Sequence, residues 1–93
     1  MYVIAVYDIS TTDKKGQRRL NKIMKLFRQY LIHIQKSVFE GEISQADFTA
    51  LKGETQKLIN DDKDFVLFYR IDNRKNLKKK SLGIDFDPTS NII

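Results

Sequence analysis

IHIQKSVFEGEI, residues 32–43, is the stretch that decides the fold. Apolar and polar residues alternate around Ile34 and Val38, which is the pattern of a β-strand with one buried face. No Asn-Gly or Pro-Gly turn interrupts the stretch. It therefore forms either one long strand or two short strands that meet at a kink near Lys36 and Ser37, and the residues alone leave both alternatives open.

Further apolar runs lie on either side of this stretch. Residues 2–9 are almost all β-branched or aromatic, and residues 65–71 have a similar composition. Such runs are typical of central strands that are covered on both faces. Residues 82–87 also alternate, and we expect them to form a short edge strand that stops at Pro88, followed by a frayed tail over 88–93.

Two helices separate the strands. The first is predicted from about Gln17, after a loop loosened by Gly16, to near Tyr30, because hydroxyl and carboxylate side chains suited to N-caps precede it. Its apolar face follows helical spacing through Leu20, Ile23, Met24, Phe27 and Leu31. Ser44 and Asp47 resemble a capping box that opens the second helix. Its predicted buried face consists of Phe48, Leu51, Thr55, Leu58 and Ile59.

If the middle stretch is two strands, the order of elements becomes βαββαβ. This is the order of the ferredoxin-like α+β fold, an antiparallel sheet with two helices on one face, here with a short C-terminal edge strand. Residues 1–93 are long enough for one hydrophobic core and are predicted to form a single domain. Because the strands over 2–9 and 65–71 are apolar on both sides, we expect face-to-face dimerisation to cover the sheet face that lacks helices.

Composition restricts the class of protein. Hydrophobic residues are 41% and charged residues 31% of the chain, a balance typical of folded soluble domains and not of disordered ones. Cysteine is absent, which excludes disulfides and thiolate metal sites and agrees with the cytoplasm as the expected location. The apolar runs are too short to span a bilayer, and the N-terminal run has no basic segment before it, so we expect neither a signal peptide nor a membrane partner.

Basic residues are concentrated in two segments of a chain whose net charge is +5. Seven of the 17 Lys and Arg residues lie between residues 14 and 28, and five more lie in a basic linker over 72–81. Candidate nucleic-acid contacts are Lys14, Lys15, Arg18, Arg19, Lys22 and Lys25 in the first segment and Arg74, Lys75, Lys78, Lys79 and Lys80 in the second. Because binding to phosphates releases counterions, nucleic acid is the expected partner, ahead of an acidic protein or a membrane surface. For one segment alone, a merely solubilising surface is the alternative.

Asp8 is the leading candidate for catalysis because it lies where a buried strand meets a hydroxyl-rich loop. The alternative is a structural role in the turn. Mg²⁺ usually takes one or two carboxylates together with waters and substrate phosphates, so a lone Asp8 is a poor site. In a dimer, however, two symmetry-related Asp8 residues could share one ion or flank one phosphodiester. His33 is the only histidine, which excludes a catalytic histidine pair within one chain but leaves a role as general acid, base or phosphate contact.

Three motifs together resemble the CRISPR-associated Cas2 family: YDIS at residues 7–10, the pair Arg18–Arg19, and IQKSVFEG at residues 34–41. The resemblance runs from residue 2 to about residue 71. It implies a ferredoxin-like homodimer with its sheets packed face to face. In the family, the aspartate that matches Asp8 lies near the dimer axis and is assigned as a Mg²⁺ ligand for phosphodiester hydrolysis. Positions near the family's site are matched by Tyr7, Arg18, Arg19 and Phe39, and we add Ser10 and His33 as auxiliary candidates.

The resemblance also implies what the protein does. Family members are described as metal-dependent endoribonucleases or DNases, and in spacer acquisition their dimer bridges integrase dimers and supports the duplex to be inserted. We therefore expect a spacer-acquisition subunit with Mg²⁺-dependent endonuclease activity, whose partners are the CRISPR integrase and duplex DNA or RNA. A non-catalytic scaffold for the integrase and a toxin-type ribonuclease on the same fold are the alternatives. A single-strand RNA binder ranks lower, because the aromatic residues follow buried patterns.

Overall fold

The protein, analysed as a computed structural model, is described over residues 1–84. The elements in chain order are β1 (Tyr2–Asp8), α1 (Lys14–Tyr30), β2 (Ile32–Gln35), β3 (Val38–Glu42), α2 (Gln45–Leu58) and β4 (Phe65–Ile71), followed by a 3₁₀ turn over Arg74–Asn76. The strands form one antiparallel sheet in the order β2-β3-β1-β4, with both helices packed on the same face. This confirms the predicted ferredoxin-like α+β fold.

The middle stretch forms two strands, so the second of the two alternatives holds. The chain reverses at Lys36 and Ser37, and Lys36 has a φ of 26°, in the region that favours glycine. The Lys36 carbonyl oxygen accepts a hydrogen bond from the Tyr7 hydroxyl at 3.0 Å and lies 2.8 Å from His33 Nε2. Side chains from neighbouring strands therefore hold this turn, which is why no turn motif marks it in the sequence.

The first helix begins at Lys14 and not near Gln17, so the predicted boundary was wrong. Asp13 is the N-cap, and its carboxylate accepts a hydrogen bond from the Gly16 amide at 2.8 Å. Gly16 does not loosen a loop, as predicted, but lies in the first turn against the carbonyl oxygen of Ser10, which a Cβ would overlap. The glycine is thus required by a close approach between the helix and the preceding loop.

The core lies between the helices and the sheet face that they cover, which we call the covered face. Its fully buried hydrophobic side chains are Val3, Ala5, Ile23, Phe27, Phe39 and Leu51. Phe27 stands edge-on to Phe39, with ring centroids 5.4 Å apart, and edge-on to Tyr7 at 5.8 Å. The second helix starts as predicted, since Ser44 Oγ accepts a hydrogen bond from the Asp47 amide. Of its predicted buried face, Phe48, Leu51 and Thr55 are buried and Leu58 and Ile59 are half-buried.

The opposite face of the sheet carries no helix, and we call it the open face. Alternation along the strands and the pairing register place Ile4, Val6, Ile32, Val38, Phe65, Leu67 and Tyr69 on it. Phe65 is 58% exposed and Tyr69 52% exposed, which is unusual for large apolar side chains in a domain this small. At the far end of β1 from Asp8, the segment after β4 packs over this face, where Arg74 lies over the Tyr2 ring at 4.8 Å.

The C-terminal predictions lie mostly beyond the described residues. Of the predicted edge strand over 82–87, residues 82–84 are described, and they form a bend rather than a strand. Residues 85–87 and the predicted frayed tail over 88–93 lie outside the described part of the chain. Within residues 1–84, no helix has both the length and the apolar character needed to cross a membrane.

Candidate active site and nucleic-acid surface

Asp8 is the last residue of β1 and is exposed to solvent. Its backbone is held by the antiparallel ladder, in which it lies opposite Phe65 of β4. Its side chain lies on the same side of the strand as Ile4 and Val6, at the end of the open face. Within the described part of the chain, its carboxylate forms no hydrogen bond and no ion pair. The ladder therefore fixes the backbone of Asp8, and the oxygen lone pairs of its carboxylate are available to an external ligand.

A cleft of about 520 Å³ opens beside Asp8. Its polar border consists of Asp8, Thr11, Lys36 and Ser37, and its apolar wall consists of Tyr7, Ile9, Leu20 and Met24. The lining comes from the end of β1, the loop after it, the first helix and the β2–β3 turn. The cleft therefore joins the candidate catalytic acid to the helix that carries the first cationic segment.

A second carboxylate, Asp64, lies immediately before β4 at the same end of the sheet, but its side chain is 0% exposed. It forms an ion pair with Arg19, whose Nε lies 2.7 Å from Oδ2, and it also accepts hydrogen bonds from the Ser10 and Asn60 amides. Burial by itself would raise the pKa of Asp64, but these hydrogen bonds outweigh it and hold the pKa below its usual value. Sequence reasoning missed this residue because Asp64 and Arg19 lie 45 residues apart in the chain, and only the fold brings them together.

The auxiliary candidates turn out to be mostly structural in their contacts. Phe39 is fully buried, and the His33 ring stacks on it with the centroids 4.4 Å apart. The hydroxyl of Tyr7 is committed to the Lys36 carbonyl, and burial raises its pKa. Ser10 donates its amide to Asp64, while its hydroxyl lies 3.4 Å from that of Thr12. These residues shape the surroundings of Asp8, and the aromatic pair does not present a stacking surface to a base.

The first cationic segment lies on the outer surface of α1. Its exposed cations, none of them ion-paired within residues 1–84, are Lys14, Lys15, Arg18, Lys22, Lys25 and Arg28. With a rise of 1.5 Å per residue, they extend over ~21 Å of helix. Arg19 differs from its neighbour Arg18, because its side chain is only 16% exposed and binds Asp64.

The second cationic segment also contains both exposed cations and one that pairs with a carboxylate. Lys75, Lys78 and Lys80 are exposed, whereas Lys79 Nζ lies 2.8 Å from Glu40 Oε2 on the open face. Glu40 also accepts a hydrogen bond from the Tyr2 hydroxyl at 2.9 Å. Tyr2 begins β1 and Asp8 ends it, which places them ~20 Å apart for a strand of this length, and Glu40 lies opposite Ile4. The second segment therefore lies toward the other end of the sheet from Asp8, whereas α1 contributes Leu20 and Met24 to the cleft beside Asp8.

At this position, one protomer supplies too few ligands for a divalent metal ion. Within residues 1–84, no group of three or more His, Cys, Asp or Glu side chains is placed to hold an ion. Asp64 cannot serve as a second ligand, because four hydrogen bonds from Ser10, Arg19 and Asn60 already occupy both of its oxygens. Asp8 has the oxygen chemistry that Mg²⁺ prefers, but it needs a second carboxylate or a substrate phosphate beside it.

Comparisons with known proteins agree on one family. Residues 1–79 match the family model described as CRISPR associated protein Cas2. The chain is 45% identical over 91 residues to the CRISPR-associated endoribonuclease Cas2 2 of Moorella thermoacetica, covering 98% of this chain and 100% of that protein. It is also 45% identical to the CRISPR-associated endoribonuclease Cas2 of Fusobacterium nucleatum, over 100% of this chain and 87% of that one. The crystal structure of Streptococcus pyogenes Cas2 at pH 6.5 superposes with a TM-score of 0.78 at 30% identity, covering 89% and 100% of the two chains.

Proposed function

Because the chain belongs to the CRISPR-associated Cas2 family, we propose that it acts as a homodimeric, metal-dependent endonuclease with Asp8 at its centre. The observation that carries the proposal is the state of Asp8: an exposed carboxylate with no partner among the described residues, at the end of a strand and beside a cationic helix. A carboxylate kept only for the turn would be expected to bind nearby amides, as Asp13 does.

The open face supports dimerisation. Phe65, Leu67 and Tyr69 form an apolar band on β4, and Ile4 and Val6 continue it on β1. A monomer would leave this band in water, whereas a second copy packed against it would bury both. Asp8 lies at the end of the same face, so association through this band would bring two Asp8 residues toward each other.

The two Asp8 carboxylates of such a dimer would hold one Mg²⁺ ion between them. A bound Mg²⁺ polarises a scissile phosphate and lowers the pKa of a coordinated water. The chain's own contribution is to fix the acids through the β1–β4 ladder and to bind the nucleic-acid backbone through the cations of α1. Those cations lie along the helix, so they would follow the phosphates of one strand without reading bases.

Substitution of Asp8 tests the catalytic part of the proposal. Asp8→Asn should abolish Mg²⁺-dependent cleavage of fluorescein-labelled RNA and DNA hairpins while leaving the dimer and hairpin affinity intact. The matched control is Glu54→Gln, which removes an exposed carboxylate from the outer surface of α2. Cleavage by Asp8→Asn at the wild-type rate would rule out Asp8 as the centre of the proposed endonuclease. The endoribonuclease names of the relatives support RNA as the first substrate to test.

A second candidate function, a scaffold for the CRISPR integrase in spacer acquisition, is favoured by a different observation. Among residues 1–84, Asp8 is the one carboxylate that lines this cleft and no cluster of three or more ligand side chains is present, while the cationic helix surface is extensive. A scaffold would need only the cations, and Asp8→Asn would then bind duplex DNA and integrase like the wild type. The family match makes a CRISPR role a better explanation than a toxin-type ribonuclease on the same fold.

Salt dependence tests the binding surface under either function. If Arg18 contacts one phosphate, Arg18→Ala should reduce the slope of log affinity against log salt by about 1, with little dependence on sequence. Lys57→Ala, which removes an exposed cation from α2, is the control and should leave the slope unchanged. Equal slopes for the wild type and Arg18→Ala would show that Arg18 makes no phosphate contact.

A further inference from the structure

Asp64 is a junction of three parts of the chain. Oδ1 accepts hydrogen bonds from the Ser10 amide at 3.0 Å and from Arg19 Nη2 at 3.2 Å. Oδ2 accepts from Arg19 Nε at 2.7 Å and from the Asn60 amide at 2.8 Å. A carboxylate has about four acceptor positions, so this one is saturated. It therefore ties together the loop after β1, the first helix, and the loop that leads into β4.

The loop from Ile9 to Asp13 is fixed at both ends by these contacts. Asp64 holds the amide of Ser10, and the Ser10 carbonyl lies directly against Gly16 in the first helical turn. At its other end, Asp13 caps the helix through the Gly16 amide. The path of the chain between Asp8 and the helix is thus set by Asp64 at Ser10 and by the Asp13 cap at the start of the helix.

We infer that the Asp64–Arg19 pair is a positioning pair for Asp8. The loop that Asp64 anchors supplies Ile9 and Thr11 to the wall of the cleft that Asp8 borders. Neither Asp64 nor Arg19 reaches the nucleic acid in this arrangement, since the carboxylate is fully buried and the guanidinium is turned to it. The inference rests on the proposed function of Asp8, but its geometric part does not require cleavage.

This assignment separates two neighbouring arginines. Arg18 is exposed and unpaired within residues 1–84, whereas Arg19 donates from Nε and Nη2 to one buried carboxylate. A planar guanidinium makes such a two-point contact and lysine cannot reproduce it. Arg18 thus belongs to the proposed phosphate-binding surface, and Arg19 acts through Asp64 on the loop beside Asp8.

The test compares Asp64→Asn and Arg19→Lys with Leu51→Ala, a destabilising control in the core under α2, at a temperature where circular dichroism shows all of them folded. With a fluorescein-labelled RNA hairpin and Mg²⁺, both positioning variants should lower kcat on the order of 10- to 100-fold with KM unchanged within about twofold. Leu51→Ala should keep the wild-type kcat. In parallel, amide hydrogen exchange of Ser10 should accelerate in Asp64→Asn, and the ¹³C carboxyl resonance of Asp8 should shift.

Two results would overturn the inference. If Arg19→Lys raises KM and reduces the salt slope by about 1, Arg19 is a phosphate contact. If Asp64→Asn leaves both the Ser10 exchange rate and the Asp8 resonance unchanged, the pair does not position the loop, whether or not the protein cleaves. If instead Asp8→Asn cleaves like the wild type while Asp64→Asn still shifts the Asp8 resonance, the proposed catalysis fails and the positioning pair stands.

Discussion

The covered face and the open face of the sheet are built from the same four strands, yet they differ in what seals them. On the covered face, Val3, Ala5 and Phe39 are 0% exposed beneath the two helices. On the open face, Phe65 and Tyr69 remain more than half exposed, although they alternate in β4 with Val66 and Phe68, which pack against the core. The covered face is therefore complete within one protomer, and the open face has the composition of an interface.

The two carboxylates at one end of the sheet differ in the same sense. Asp64, next to the helices, is buried and bound by four donors, while Asp8, at the end of the open face, has none among the described residues. The Asp64 carboxylate stabilises the fold, and its acceptor positions are already occupied by hydrogen bonds. The Asp8 carboxylate is fixed by its backbone and is free to bind a ligand. The bound acid and the unbound acid are thus separated by the face of the sheet on which they lie.

Truncation of a core aromatic residue should give the largest effect and separate the faces most clearly. Phe27→Ala on the covered face should lower the free energy of unfolding by about 3–5 kcal/mol at every protein concentration, because it leaves a cavity in a complete core. Leu67→Ala on the open face should destabilise only at concentrations where the protein is a dimer. Urea denaturation over a range of protein concentrations measures both. A concentration-independent loss for Leu67→Ala would contradict the proposed interface.

Removing the buried acid should have the next largest effect, and its pH dependence has a definite sign. Asp64→Asn should cost about 3 kcal/mol at neutral pH, because it leaves Arg19 without its charged partner. Since the folded-state pKa of Asp64 is lowered, its stabilisation is fully present above the unfolded value of about 4 and is lost as pH falls through the folded value. The difference between wild type and variant should therefore shrink below about pH 4 in urea titrations.

The matched control for this acid effect is Asp62→Asn. Asp62 is exposed in the same loop, and its amide, rather than its carboxylate, makes the local hydrogen bond to Asn60. We expect no change in the free energy of unfolding beyond about 0.5 kcal/mol at either pH. If Asp64→Asn behaved like Asp62→Asn at neutral pH, the contrast between the two carboxylates at this end of the sheet would fail.

The covered face was predictable from the sequence because its signals are local. Helical spacing in α1, the Ser44 cap and the two apolar strands gave the order of elements and most of the core. The β2–β3 turn was left open, since Lys36 is held by Tyr7 from β1 as well as by His33 from β2. The predicted start of the first helix was wrong for a similar reason, because the contact of Gly16 with Ser10 has no sequence signature, whereas its predicted end near Tyr30 was right.

The candidate site was only partly predictable. Asp8 was identified because a single acid ends an apolar strand, which is visible in the sequence. Asp64 was missed, because its partners Ser10 and Arg19 lie 54 and 45 residues away and only the fold brings them together. Charge counting treated Arg18 and Arg19 alike for the same reason. Net charge reports how many cations a segment has, but burial decides which of them face solvent.

Two helical glycines test which helix surfaces are free and which are packed, and Gly53→Ala should give the smallest change in stability predicted for a single substitution other than the Asp62→Asn control. Gly53 lies on the outer surface of α2, where a Cβ would have no neighbour within 4 Å, so Gly53→Ala should raise the free energy of unfolding by about 1 kcal/mol. Gly16→Ala should lower it, because its Cβ would overlap the Ser10 carbonyl and displace the loop beside Asp8. Urea denaturation should therefore show changes of opposite sign in the free energy of unfolding for the two glycine-to-alanine substitutions. A destabilising Gly53→Ala would mean that the outer surface of α2 is also covered. The protein would then have an interface on α2 in addition to the open face.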